Sequence, residues 1–239
     1  MSPIILGLET STDACSVAIY TPTQIFEVFV VQPQAHSKLL LDMVDNVLSQ
    51  AGISLKEIDA FAFGRGPGSF TGVRIAASAI QGLAFGVAKP VIGISSLQAL
   101  AQQAFNKFQV ANIVALLDAK MHEVYYGVYK IGAHDLVEAE MEDSLQKPEQ
   151  LQLDEAVEYL AVGTGVKSYQ AIISANNPAL NLDLSIEYPR AYVIVQLAAQ
   201  QFALGNISLA SSAIPTYIRN DVAKKSDKKN PDQGGRDKN

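Results

Sequence analysis

The 239-residue chain contains no tryptophan, one cysteine and three histidines, and only 18% of its residues are charged. Each scarcity closes off a class of protein. A lone Cys15 cannot form an intrachain disulfide, and its apolar, alternating surroundings suit a thiol that behaves as a small buried hydrophobe. A reducing, cytoplasmic setting is the economical expectation. Histidines at positions 36, 122 and 134 alone leave little from which to build a histidine-based metal centre. The opening stretch "MSPIILGLET" has no basic segment and meets Glu9 after a short apolar run, so it reads as neither signal peptide nor anchor. The longest uncharged runs, 75–88 and 90–106, are too short or too polar to span a bilayer, so no membrane role is expected.

What is there is apolar. With 49% hydrophobic residues the chain can bury a substantial core, and its length suits two lobes: 1–104, and 105–218 with a last helix that packs back on the first lobe. The formal net charge is −6, but residues 219–239 carry seven Lys/Arg against four Asp/Glu, which leaves an acidic body and a basic tail. That tail has almost no apolar side chains to offset the cost of ordering and is expected to be disordered. Its charge also fits a weak attraction to RNA phosphates.

An internal repeat organises the body. Residues 4–20, "IILGLETSTDACSVAIY", and 113–129, "IVALLDAKMHEVYYGVY", both read as an apolar strand, an acidic residue, a polar turn and a second strand. Placing Glu9 over Asp118 puts Tyr20 over Tyr129. Later in each half, "DAFAFGRG" (59–66) and "EYLAVGTG" (158–165) end apolar strands in Gly-x-Gly, each preceded by a helical pattern, at 36–52 and more weakly at 148–157. Strands alternating with helices imply an α/β fold of mixed sheets flanked by helices, with ligands at the carboxyl ends of the strands. Two like lobes whose carboxylate hairpins face a cleft are the plan of the actin-like (ASKHA) ATPases. That plan predicts nucleotide binding.

The glycine loop 64–72 does not carry the standard phosphate motifs. None of Gly64, Gly66 and Gly68 has the Gly-Lys pair of a P-loop five positions on, and Thr71 stands where a dinucleotide fingerprint needs its third glycine. What survives is a strand-to-helix turn with Ser69 or Thr71 as N-cap, Arg74 in the first turn, and amides able to receive an anion. Glycines that merely permit close packing explain the loop equally well. The helix that follows, to Gly86, has only Arg74, Ser78 and Gln81 as polar side chains past the cap, and 36–52 is likewise over-apolar. Such helices are either central to the lobe or form a protein interface. Glu9 and Asp118 could hold Mg²⁺ or act as acid and base. Capping of their own turns, or pairing with Lys120 or Arg74, is the preferred reading of them.

The segments "ILGLETSTDACSVAIY", "HSKLLLDMVDNVL", "GRGPGSFTGVRIAASAIQGLAFGVAKPVIGISSLQALA", "LLDAKMHEVYYGVY", "YPRA" and "IPTYIR" resemble the TsaB (YeaZ) family from residue 4 to about 219. The resemblance implies the actin-like two-lobe fold and a role in making threonylcarbamoyladenosine beside the anticodon of tRNAs that read codons beginning with A. It implies pairing with TsaD, the transferring subunit of similar fold, with the ATPase TsaE joining the assembly. TsaD carries a metal-binding His-x-x-x-His where this chain has His36-Ser37-Lys38-Leu39-Leu40, so the second ligand is leucine and no metal or catalytic residue is expected. The first hairpin, Glu9-Thr10-Ser11-Thr12, also lacks the glycine usual in actin-like ATPases, which leaves room for weak nucleotide binding only, by Glu9, Thr10, Ser11, Thr12, Gly66, Gly68, Ser69 and Asp118. The expected role is that of a noncatalytic partner subunit, with no cofactor. It docks TsaD, or its own copy when alone, through His36, Leu40, Val44, Val47, Val73, Ala76, Ala77, Ile80 and Leu83, and meets tRNA through the complex. A stand-alone ATPase or metallopeptidase at the cleft is the alternative from another class.

Overall fold

A computed structural model describes residues 2–219; all but the first residue of the basic tail expected from 219 onward lie outside the described residues. The first half forms β1 (Ile5–Glu9), β2 (Ala14–Tyr20), β3 (Ile25–Val31), α1 (His36–Ala51), β4 (Ala60–Gly64), α2 (Phe70–Gly86), β5 (Val91–Ile94) and α3 (Ser96–Phe108). The second forms β6 (Asn112–Lys120), β7 (Glu123–Ile131), β8 (Val137–Ala139), β9 (Ser144–Gln146), β10 (Leu160–Val162), α4 (Thr164–Asn176), β11 (Asn181–Leu182) and α5 (Ala191–Ala203).

The two sheets repeat one topology. The first runs β3-β2-β1-β4-β5, and the second runs β8-β7-β6-β10-β11 with β9 added beside β7. In each, an antiparallel meander is followed by two parallel strands. The hairpins superpose less simply than their sequences: Glu9 faces Ser16, whereas Asp118 faces Val124 and the register shifts between Asp118 and Lys120. The shift accommodates a turn in which Lys120, Met121 and His122 all take left-handed backbone (φ 60°, 57° and 60°). The helix expected at 148–157 is reduced to a 3₁₀ turn at Pro148–Gln150. Leu151, Leu153 and Val157, which pack on the second sheet, are spaced by two and four rather than along a helical stripe, and this suits an irregular extended chain.

Alternation along the first sheet sends Leu6, Leu8, Val17, Phe61 and Phe63 to the face covered by α1 and α2. Ile5, Ala18, Ala60 and Ala62 point to the other face, covered by α5. A Cβ on Gly7 would lie 2.5 Å from Val195 Cγ1, so α5 can sit this close only because β1 has no side chain there. Arg190, from the "YPRA" segment, fixes the start of α5. It pairs with Glu27 of β3, which also accepts the Ser16 hydroxyl at 2.7 Å and the Tyr192 amide at 3.2 Å.

This packing corrects the residue-level interface expected from sequence. Leu40, Val44, Val47, Val73, Ala76, Ala77 and Ile80 are all buried in the chain's own core. His36 is buried as well, its Nε2 2.7 Å from the Thr12 carbonyl oxygen, and Leu83 is only half-buried. Over-apolar helices have two greasy faces, and the stripe richer in branched side chains went to the sheet. The opposite face stays outside. On α2 it presents Arg74, Ser78, Gln81, Gly82 and Gly86, with Phe85 79% exposed, while Ile75, Ala79 and Leu83 flank it half-buried against the core; on α1 it presents Leu41, 58% exposed. Among the described residues, Cβ atoms built on Gly82 and Gly86 would meet nothing within 4 Å.

Candidate functional site

Between the lobes lies a cleft of about 540 Å³. Of the eight residues expected to line it, Ser11, Thr12, Gly68, Ser69 and Asp118 do, and Glu9, Thr10 and Gly66 do not. The reason is the close clamp between the glycine loop and the β1–β2 turn.

Glu9 is fully buried; its Oε1 accepts the Ser11 amide at 2.6 Å and its Oε2 accepts the Ser96 hydroxyl at 2.8 Å. Burial pushes its carboxyl above the ordinary range, and the hydrogen bonds from Ser11, Ser96 and the Thr10 backbone only partly counter this. Thr10 is equally buried and donates its hydroxyl to the Gly72 carbonyl at 2.7 Å. The Gly66 carbonyl accepts the Ser96 amide at 2.9 Å. The Ser69 amide donates to the Ser11 carbonyl at 2.7 Å, and the Ser69 hydroxyl caps α2 by accepting the Gly72 amide at 3.4 Å. Side chains are excluded at three of the loop's glycines: a Cβ on Gly64 would lie 1.9 Å from Glu9 Oε2, on Gly68 2.4 Å from Ser11 O, and on Gly72 2.0 Å from Thr10 O. Backbone packing therefore accounts for these glycines without a ligand. Cys15, also buried, has its thiol pushed up to about 12 by burial and by the neighbouring Glu9 charge, which makes it chemically inert.

Asp118 faces the cleft, but it is occupied. Its Oδ1 accepts the Lys120 amide at 2.8 Å, and its Oδ2 accepts Lys120 Nζ at 2.7 Å and the Ser168 hydroxyl at 3.2 Å. Burial alone would raise this carboxyl, but the Lys120 hydrogen bonds and charge, with Ser168, outweigh it and hold the group below the ordinary range. The other cleft cations are paired too. Lys167 Nζ lies 2.9 Å from Glu187, and Arg219 pairs with Glu123 of β7. Among the lining side chains Lys120, Lys167 and Arg219 are balanced by Asp13, Asp118 and Glu187. The cleft therefore offers no surplus positive potential for a polyphosphate.

The second Gly-x-Gly turn, 163–165, reaches the cleft through Thr164, but nothing in the residue pattern marks the rest of the far wall: Lys167, Ser168, Glu187 and Tyr188, and the closing segment Thr216–Arg219. The segments "YPRA" and "IPTYIR" carried a signal for the last two groups through the resemblance alone. Among the described residues no three His, Cys, Asp or Glu side chains are grouped to hold a metal ion, and no helix is long and apolar enough to cross a membrane.

Two lobes of one topology, each opening with an acidic hairpin and meeting at a cleft by the strand ends, define an actin-like (ASKHA) α/β protein. The comparisons narrow the class. A family model described as TsaD, tRNA N6-adenosine threonylcarbamoyltransferase, matches residues 30–227. The tRNA threonylcarbamoyladenosine biosynthesis protein TsaB of Escherichia coli is 37% identical over 222 residues, 92% of this chain and 96% of the relative. That of Haemophilus influenzae is 37% identical over 229 residues, 91% and 94% of the two chains. The solved YeaZ from Pseudomonas aeruginosa superposes with a TM-score of 0.85 at 36% identity, over 90% of this chain and 99% of that one. The chain belongs to the TsaB (YeaZ) family.

Proposed function

We propose that this chain serves the biosynthesis of threonylcarbamoyladenosine in tRNA as a noncatalytic subunit that docks TsaD through the outward faces of α1 and α2. The observation that carries this reading is the outward face of α2, where the exposed Gly82, Phe85 and Gly86, flanked by the half-buried Ile75, Ala79 and Leu83, leave an apolar, small-residue surface with no other described residue within 4 Å of a Cβ built on either glycine. Small side chains let a second helix approach closely, and larger neighbours such as Leu41 supply buried area. Two proteins of like fold can meet through the same helices about a pseudo-twofold axis, and a second copy of this chain would use the same surface when TsaD is absent. TsaE joins the assembly, tRNA is met through it, and the setting is the cytoplasm.

The charge balance of the cleft supports a passive role there: with each lysine and arginine held by a carboxylate, a nucleotide binds weakly and without turnover. The test is size-exclusion chromatography of Ala79→Arg mixed with purified TsaD. The variant should melt within a few degrees of the wild type and elute alone. Co-elution with TsaD at wild-type yield would remove α2 from the interface.

A further inference from the structure

The "IPTYIR" segment spans two places that the docking reading keeps apart. After α5 the chain returns across α2, where Gln81 Nε2 donates to the Ser211 carbonyl at 3.3 Å. The Thr216 amide then donates to the Arg65 carbonyl at 2.7 Å. Tyr217 settles against the start of α2: its ring centre is 5.8 Å from that of Phe70, and its hydroxyl accepts Arg74 Nε at 2.8 Å. The Arg74 guanidinium lies 3.6 Å from the centre of the Phe70 ring. Phe70 and Tyr217 remain 46% and 42% exposed. At 100° per residue, Arg74, Ser78 and Gln81 form a stripe beside Ile75, Ala79 and Gly82, so this aromatic–arginine cluster borders the outward face of α2. Two residues further on the chain reaches the opposite lobe, where Arg219 pairs with Glu123 and its Nη1 lies 3.6 Å from Met121 Sδ, on the turn that carries Asp118.

We propose that residues 214–219 form a strap that completes the docking face and couples occupancy of α2 to closure of the cleft. This rests on the docking reading above. Tyr and Arg held in place by stacking lose little freedom on binding and are favoured at the energetic centres of interfaces. A partner packed on α2 immobilises Tyr217 through Phe70 and Arg74, and so restrains Arg219, two residues away, on Glu123. Linkage makes the coupling reciprocal: releasing the latch on the far lobe must weaken docking by the same factor by which docking tightens the latch.

The test is a charge-swap cycle read by calorimetric titration with TsaD. Arg219→Glu and Glu123→Arg should each weaken docking about fivefold or more, at the lower end of typical coupling between sites, although neither residue lies on α2. The double swap should return affinity to within about twofold of wild type. Hydrogen exchange gives an independent readout: TsaD should slow exchange at amides 118–124 in the wild type and leave it unchanged in Arg219→Ala. Tyr217→Phe, which keeps the ring and loses only the hydroxyl, covers the case in which a charge variant folds poorly, and it should show a smaller loss in the same direction. Wild-type affinity in both single variants, or exchange at 118–124 indifferent to TsaD, overturns the coupling while leaving docking intact. Failure of the wild type itself to bind TsaD overturns docking, and the coupling falls with it.

Discussion

Leu40 and Leu41 are neighbours on α1 with opposite fates, and they give the most direct check on which face of the helix does what. Leu40 is 2% exposed in the core shared by α1, α2 and the first sheet; Leu41 is 58% exposed. Truncating a fully buried leucine to alanine removes its transfer free energy and leaves a cavity, at a cost of about 2–5 kcal/mol. The surrounding side chains, Val44, Val47, Ala76 and Ile80 among them, belong to one close-packed cluster that cannot collapse far. A cost near 3 kcal/mol in a chain of this size lowers the melting midpoint by roughly 6–12 °C. Leu41→Glu, by contrast, breaks no internal contact of that kind and should change stability by about 0.5 kcal/mol or less. It places a charge on the proposed docking face. Thermal melts followed by circular dichroism, with titration of TsaD into each variant, separate the two. The expected pattern is a destabilised Leu40→Ala that still docks below its melting range and a stable Leu41→Glu that does not. An unshifted melt for Leu40→Ala together with lost docking would show that the helix presents the opposite face, and would refute the reasoning.

Two further outcomes test the glycine loop. Glu9 has its carboxyl raised by burial, so the folded state binds its proton more readily than the unfolded chain does; stability from this group is present below the ordinary carboxylate range and is lost as pH rises through the raised value. Glu9→Gln, which keeps the shape, should therefore gain on the wild type as pH rises above the ordinary carboxylate range, and a melting difference that does not vary with pH would contradict the assignment. Gly64→Ala drives a methyl group to 1.9 Å from Glu9 Oε2 and should cost about 2 kcal/mol by overpacking. Glu9→Ala in the same chain should recover part of that loss, and additive losses in a double-mutant cycle would show that the two positions are not in contact.

Much of the fold was legible because its signals are local. Period-two apolar runs marked β1, β2, β6 and β7, and Gly-x-Gly marked the turns into α2 and α4. The matched spacing from Glu9 to Tyr20 and from Asp118 to Tyr129 announced the duplication that the sheet orders display. The helical pattern at 148–157 gives way to a 3₁₀ turn because Leu151, Leu153 and Val157 do not follow a helical stripe, and β3, an edge strand with six apolar residues in seven, carries no period-two alternation to mark it.

The candidate site was less legible. For Asp118 the sequence leaves open a turn cap or a pair with Lys120 or Arg74, and the structure has the cap and the Lys120 pair together, since a turn places residues two apart within reach of each other. The pattern sets Glu9 in the cleft because strand ends usually open there, and nothing in the sequence reports that Ser96, 87 residues away, meets its carboxylate.

The amino-acid order alone fixes which side chains are apolar and at what period they recur, and so it determines the strands, the helices, their glycine-lined turns and the family to which the chain belongs. It does not fix which of two greasy faces on α1 and α2 turns inward, or whether a carboxylate at a bend meets solvent or a distant serine. Those choices belong to the tertiary structure. Burial is set by contacts between segments remote in the chain, such as α5 on β1 or Arg219 on Glu123, and no local pattern encodes them.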